Sequence, residues 1–170
     1  MKNYIFLPLL LIFFNISSNY AQQITTDDSL SLEQLIENSF GQNCVEISNV
    51  SSNINGLVYG FSSFGYFERG SSNFPFENGI LLTTGNVNSA GNVLNTTPLN
   101  EGTNAWGTDI DLENALGITE TLNATSIQFE FLSVANQIQF NYLLASEEYF
   151  ADFPCFFSDG FAFLIRLAGS

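Results

Sequence analysis

Three times in the last third of the chain, apolar and polar side chains alternate with a period of two. Ile127, Phe129 and Phe131 alternate with Gln128 and Glu130. Ile138, Phe140, Tyr142 and Leu144 alternate with Gln139 and Asn141. Phe161, Phe163, Ile165 and Leu167 alternate with Ala162 and Arg166. Successive side chains of a strand point to opposite faces, so each segment has one face to bury and one to leave in water. That pattern belongs to antiparallel sheet.

Earlier segments extend the reading. Residues 44–50 alternate, with Val45 and Ile47 on one face. Residues 57–67 are interrupted by Gly60 and Gly65 and read as two short strands, and residues 79–84 carry the Ile-Leu-Leu of a buried strand. One helix is expected, over residues 31–40: Ser31 and Gln34 form a capping-box pair, Leu32, Leu35, Ile36 and Phe40 share a face, and Gly41 ends it. A helix this short is marginal alone and must dock. Residues 86–107, rich in Asn, Gly, Thr and Ser, read as a long loop. The expected fold is all-β, a mainly antiparallel β-sandwich or jelly roll with one short N-terminal helix.

The first 21 residues have the form of a secretory signal. Lys2 supplies the positive end, an apolar run follows from Tyr4 to Phe14, and Ala21 offers a small residue before the cut. The run is too short to span a bilayer, which takes about 20 residues. Residues 22–29 then form a polar leader and residues 30–170 one domain, which reads as truncated at its C-terminus because the sequence stops directly after a strongly patterned strand. The protein is therefore expected to be exported, to the cell surface or the medium, with no membrane span once the signal is removed.

Charge and absences narrow the chemistry. The chain carries 17 acids against three bases, and Lys2 belongs to the signal, so only Arg69 and Arg166 remain. No basic footprint for nucleic acid exists. With no His and no Lys beyond the signal, a His-based triad, a lysine Schiff base and a His-ligated zinc site are all excluded. What remains for chemistry is carboxylates, tyrosines and hydroxyls. Cys44 and Cys155, an even pair in an exported chain, read as a disulfide. Closing so long a loop stabilises by roughly 4–5 kcal/mol in the chain-entropy model.

Two acidic clusters stand out as candidate sites. Glu147, Glu148, Asp152 and Asp159 fall at the junction of two apolar strands, beside Cys155. Oxygen ligands without His suit Ca²⁺, and a cation would relieve the repulsion of crowded carboxylates. Asp109 and Asp111, with Glu113 and Glu120, imitate the spacing of an EF-hand loop but place Asn114 where that loop needs Gly, and no flanking helices are expected, so they are the weaker metal candidates. Adjacent strand carboxylates such as Glu147 and Glu148 face opposite ways, which opposes a glycosidase pair. Trp106 and Tyr149, in or beside polar loops, offer faces for stacking on a sugar, although such aromatics more often cap a core. Sequons occur at Asn49, Asn95 and Asn123.

Four blocks carry a family resemblance. Asn78-Gly-Ile-Leu-Leu-Thr-Thr-Gly-Asn86, Asp109-Ile-Asp111-Leu112, Ala145-Ser-Glu-Glu-Tyr149 and Phe161-Ala-Phe163 together resemble the choice-of-anchor L domain, in order and in spacing. The strand at residues 44–50 looks like that family's opening strand. The resemblance implies an N-terminal module of a bacterial surface protein. It supplies no catalytic residue. The chain departs from the family at Phe150, where Pro is usual, and at Ser158-Asp159, where an Asn-Asp pair is usual. The expected function is a non-catalytic extracellular adhesion or recognition module with a glycan or protein ligand and with Ca²⁺ as its one candidate cofactor. The alternatives are a carboxylate-only carbohydrate-active enzyme and a structural spacer.

Overall fold

The computed structural model describes residues 23–40, 45–92, 95, 99–102, 106–134, 136–146 and 158–167. Among them, five strands form two antiparallel sheets, with two short α-helices. Strand β1 is Thr25–Asp27, α1 is Leu32–Phe40, β2 is Val45–Ser51, β3 is Phe64–Glu68, β4 is Asn78–Leu82, α2 is Ile110–Leu116 and β5 is Gln128–Ser133. The first sheet has the order β1-β3-β4, and the second pairs β2 with β5. Helix α1 packs against β2 of one sheet and β4 of the other, so it ties the two together.

The capping box predicted for α1 is present. The Gln34 amide donates to Ser31 Oγ at 3.2 Å, and the Ser31 amide donates to Gln34 Oε1 at 3.0 Å. Both donors would otherwise lack an intrahelical partner. The helix buries Leu35 and Ile36, at 1% and 0% exposure, while its last residue, Phe40, stacks on Phe129 of β5 with ring centroids 5.5 Å apart. A nine-residue helix is thereby held by packing rather than by propensity.

In the second sheet Ile47 pairs with Phe131 and Val45 with Ser133, as the alternation requires. The register shifts between Ser48 and Ser51. Asn49 sits in that bulge at φ 53°, in the left-handed region that Asn tolerates, and its side chain donates to Glu130 Oε2 at 2.7 Å. In the first sheet the polar leader has a structural role. Residues 25–27 form an edge strand on β3, and Asn92 fixes it by accepting from the Thr26 amide at 2.9 Å and donating to the Thr26 carbonyl at 3.1 Å. Gly65 of β3 lies so close beneath β1 that an added Cβ would stand 2.7 Å from the Asp27 carbonyl oxygen.

Three expectations need correction. Residues 57–67 give one strand rather than two. The stretch Gly56–Tyr59 is a 3-10 turn capped by Asn55, whose side chain accepts from the Leu57 amide at 2.9 Å, and Gly60 ends it at φ 81°. Helix α2 stands where only a loop was expected, because Asp109 is an N-cap and Gly117 a left-handed C-cap. Of the three alternating segments at the end of the chain, only the first belongs to a ladder among the described residues. Segments 138–146 and 161–167 do run antiparallel side by side, with Phe140 stacked on Phe163 at 4.9 Å and Tyr142 against Phe161 at 5.5 Å, but they form no regular ladder. Alternation specifies which face is apolar; ring contacts can satisfy that demand without the backbone register a ladder needs.

Candidate functional site

Asp159 is the one acid of the first cluster among the described residues, and it lies near the C-terminal turn of α2. The paired segments 138–146 and 161–167 flank residues 147–157 in sequence, and between them Ser146 Oγ donates to Asp159 Oδ2 at 3.3 Å. Next to Asp159, a Cβ added to Gly160 would lie 2.5 Å from Leu116 Cδ1, so the chain at Gly160 rests on the last turn of α2. Asp109, Asp111, Glu113 and Glu120 all belong to α2 or its flanks. Glu147, Glu148, Asp152 and Tyr149 lie outside the described residues, as do Cys44, Cys155 and the signal sequence. Among the described residues no three carboxylates gather as a metal site.

The carboxylates around α2 have internal partners. Asp109 Oδ1 accepts from the amides of Asp111 and Leu112, each at 3.0 Å, which caps the helix. Asp111 occupies the first turn, where the helix dipole favours an acid. Glu113 Oε1 accepts from the Thr121 amide at 2.8 Å and from Thr121 Oγ1 at 3.0 Å, while Thr121 Oγ1 accepts from the Asp109 amide at 2.9 Å. These bonds close the chain after α2 back onto its start. The EF-hand-like spacing is thus the spacing of a capped helix and its return loop.

Trp106 is a core residue. It is 4% exposed, its indole Nε1 donates to the Ala124 carbonyl at 2.8 Å, and its ring meets Phe61 edge-on at 5.6 Å. Gly102 lies flush against the ring, at φ 74°, where a side chain would strike it. Of the two stacking candidates this one has no free face to offer a sugar. The sequons divide similarly. Asn49 and Asn95 are exposed, whereas Asn123 is buried at φ 51°, its side-chain oxygen without a hydrogen-bond partner.

Sequence reasoning passed over Glu101. Its carboxylate accepts from the Asn86 amide and from Ser89 Oγ, both at 2.6 Å, and so pins the 3-10 turn Val87–Ala90. The available signal was a lone acid in a segment rich in Asn, Ser, Thr and Gly. A shallow cleft of about 330 Å³, lined by Glu37, Val45, Glu46 and Ile47, lies between α1 and β2. It is open to water and has no convergent set of donors. None of the described residues forms a helix long and apolar enough to cross a membrane.

No curated protein and no solved structure matches the chain. The family model of the Choice-of-anchor L domain matches residues 23–170, nearly everything after the signal-like segment. The chain belongs to the Choice-of-anchor L domain family, a family of surface-associated bacterial modules.

Proposed function

We propose that this protein is a non-catalytic, extracellular recognition module that engages a glycan or protein ligand through its acid-rich end, with Ca²⁺ ordering the loop between Ser146 and Asp159. The observation that carries the reading is that Asp159 accepts a hydrogen bond from Ser146 while neighbouring Gly160 lies against Leu116 of α2, which sets one acid of the first cluster beside the helix whose N-terminal end carries the second. Glu147, Glu148, Asp152 and Asp159 would supply the oxygens, with Asp109 and Asp111 as secondary ligands. Carboxylates brought together without a base nearby repel one another, and a hard cation removes that cost. A bridge between Cys44, which directly precedes β2, and Cys155 would anchor the same loop to the second sheet.

A thermal melt of the exported chain in EDTA and then in Ca²⁺ tests the proposal. A cation bound only by the folded state adds about 2.7 kcal/mol at a hundredfold excess over its dissociation constant. The expected result is an upward shift with Ca²⁺ that Asp159→Asn abolishes; an unchanged midpoint rules Ca²⁺ out. Thiol titration before and after reduction tests the bridge. Release of reducing sugar from a polysaccharide, lost in Glu147→Gln or Glu148→Gln, would replace the recognition reading with an enzymatic one.

A further inference from the structure

Strand β1 buries no side chain. Its sequence is Thr-Thr-Asp, with Thr25 and Asp27 exposed and Thr26 half-buried. Gly65 makes room for it, but apolar burial does not hold it there. Besides its ladder to β3, the strand is gripped by a polar clamp from the segment that follows β4. The Thr26 amide donates to Asn92 Oδ1 at 2.9 Å, and Asn92 Nδ2 donates to the Thr26 carbonyl at 3.1 Å and to Thr26 Oγ1 at 2.6 Å. Thr26 Oγ1 in turn donates to Asn88 Oδ1 at 3.0 Å, and the Asn92 amide donates to the Ile24 carbonyl at 3.0 Å.

Asn88 belongs to the 3-10 turn Val87–Ala90, and Asn92 stands just beyond it. The turn is set from two sides. On one, Val87 is fully buried and its amide donates to the Ser62 carbonyl at 2.9 Å. On the other, the Glu101 carboxylate accepts from the Asn86 amide and from Ser89 Oγ, both at 2.6 Å. Glu101 is itself positioned from the core, because the next residue, Gly102, lies flush against the ring of buried Trp106. It is also the only charged residue between positions 78 and 108. An ionised acceptor holds its donors about twice as strongly as a neutral one. Contacts therefore run from Trp106 through Glu101 and the turn to β1.

We infer that β1 is a releasable strap whose closure is set by Glu101. The carboxylate fixes the turn, the turn aims Asn88 and Asn92, and these close on Thr26. Because the strap buries no side chain, it lifts while β3 and β4 stay paired, and lifting it bares the side of β3 that it now covers. Glu101 is a positioning residue that acts through the turn.

Amide hydrogen exchange of the exported chain, read residue by residue, tests the inference. In the wild type, residues 25–27 are expected to exchange by local opening, faster than β3 and β4. Glu101→Ala removes both acceptors and is expected to speed exchange at residues 25–27 and at Asn92 on the order of tenfold, with β2 and β5 unchanged. Glu101→Gln is expected to restore part of the protection, since its amide can accept from Asn86 and donate to Ser89. Asn92→Ala is expected to free residues 25–27 while the Asn86 amide stays protected, which gives the relay its direction. Should Glu101→Ala fail to fold, Ser89→Ala removes only one of the two bonds and is read in the same way. Wild-type residues 25–27 that open only with the whole chain, variants that leave them at the wild-type rate, or variants that speed β2 and β5 equally would overturn the inference.

Discussion

Ser63 is fully buried, and its hydroxyl joins three parts of the chain. Its Oγ accepts from the Gly56 amide at 2.8 Å and shares a 2.7 Å hydrogen bond with Thr125 Oγ1, which also lies 2.7 Å from the Thr83 carbonyl. The carbonyl can only accept, so the Thr125 proton goes there and the Ser63 proton goes to Thr125. Every group in the relay is then satisfied. Ser63→Ala leaves the Gly56 donor buried and unpaired, and is expected to cost about 1–3 kcal/mol in a urea titration. Trp106 gives a second prediction at this scale. As the single tryptophan, it is expected to show blue-shifted emission that acrylamide and sugars leave unquenched until the protein unfolds. Tyr66 gives a third. Its phenol is pushed above its usual value by burial, with the Glu68 charge adding to the effect. The neutral phenol is the form the fold favours, so its contribution is complete below the unfolded value and is lost as pH rises through the folded one. Tyr66→Phe is expected to flatten the alkaline limb of a stability-against-pH curve.

At the scale of elements, caps decide where helices stand. Helix α2 has no buried residue, so its position depends on its ends more than on its sides. Asp109→Asn keeps a side-chain oxygen at the N-cap and is expected to change stability by a few tenths of a kcal/mol, whereas Asp109→Ala is expected to lose about 1 kcal/mol. Comparing the two by denaturant midpoint, with and without Ca²⁺, separates a capping role from a metal-binding one. A Ca²⁺ effect lost in both variants would assign Asp109 to the metal. The edge strand β1 depends on a single close approach. Gly65→Ala is expected to displace it, because the new methyl would meet the Asp27 carbonyl and the Val87 side chain. Faster amide exchange at residues 25–27, with β3 and β4 still protected, is the readout. Asp27 adds little here: its carboxyl is held below its usual value chiefly by hydrogen bonds from the Ser29 side chain and amide. That local contribution is present at neutral pH and lost as acidification passes the folded value.

At the scale of the whole molecule, the buried apolar side chains described come from α1, β3 and the connecting segments at Val87, Trp106 and Ala124, whereas segments 138–146 and 161–167 contribute none, with Tyr142 and Phe163 exposed and Phe140 and Phe161 half-buried. The described core is small and partly polar, with Ser62, Ser63, Ser72 and Asn123 buried beside Leu35, Ile36, Phe67, Val87, Trp106 and Ala124. The aromatic row from Phe129 through Phe40 and Phe140 to Phe163 joins the two regions, together with the contact of Gly160 on Leu116. Phe40→Ala removes its central member. It is expected to cost about 3 kcal/mol if the ring is as well packed as a core residue, and to raise proteolytic cleavage within residues 138–167 more than elsewhere.

The sequence by itself determined the elements whose signals are local: the capping box of α1, the period-two faces of β2 and β5, the strand β4, although its Ile-Leu-Leu run is half-buried to exposed rather than buried, and the family to which the chain belongs. It also excluded His- and Lys-based chemistry outright, since missing residues cannot be supplied by folding. Only the tertiary structure decided that residues 25–27 join a sheet, because an edge strand takes its identity from its neighbour β3. Only the structure turned Trp106 from a surface candidate into a core residue, and Asp109 and Glu113 into the fastenings of a helix. Burial and hydrogen-bond partners belong to contacts between residues far apart in sequence, and a one-dimensional pattern does not contain them.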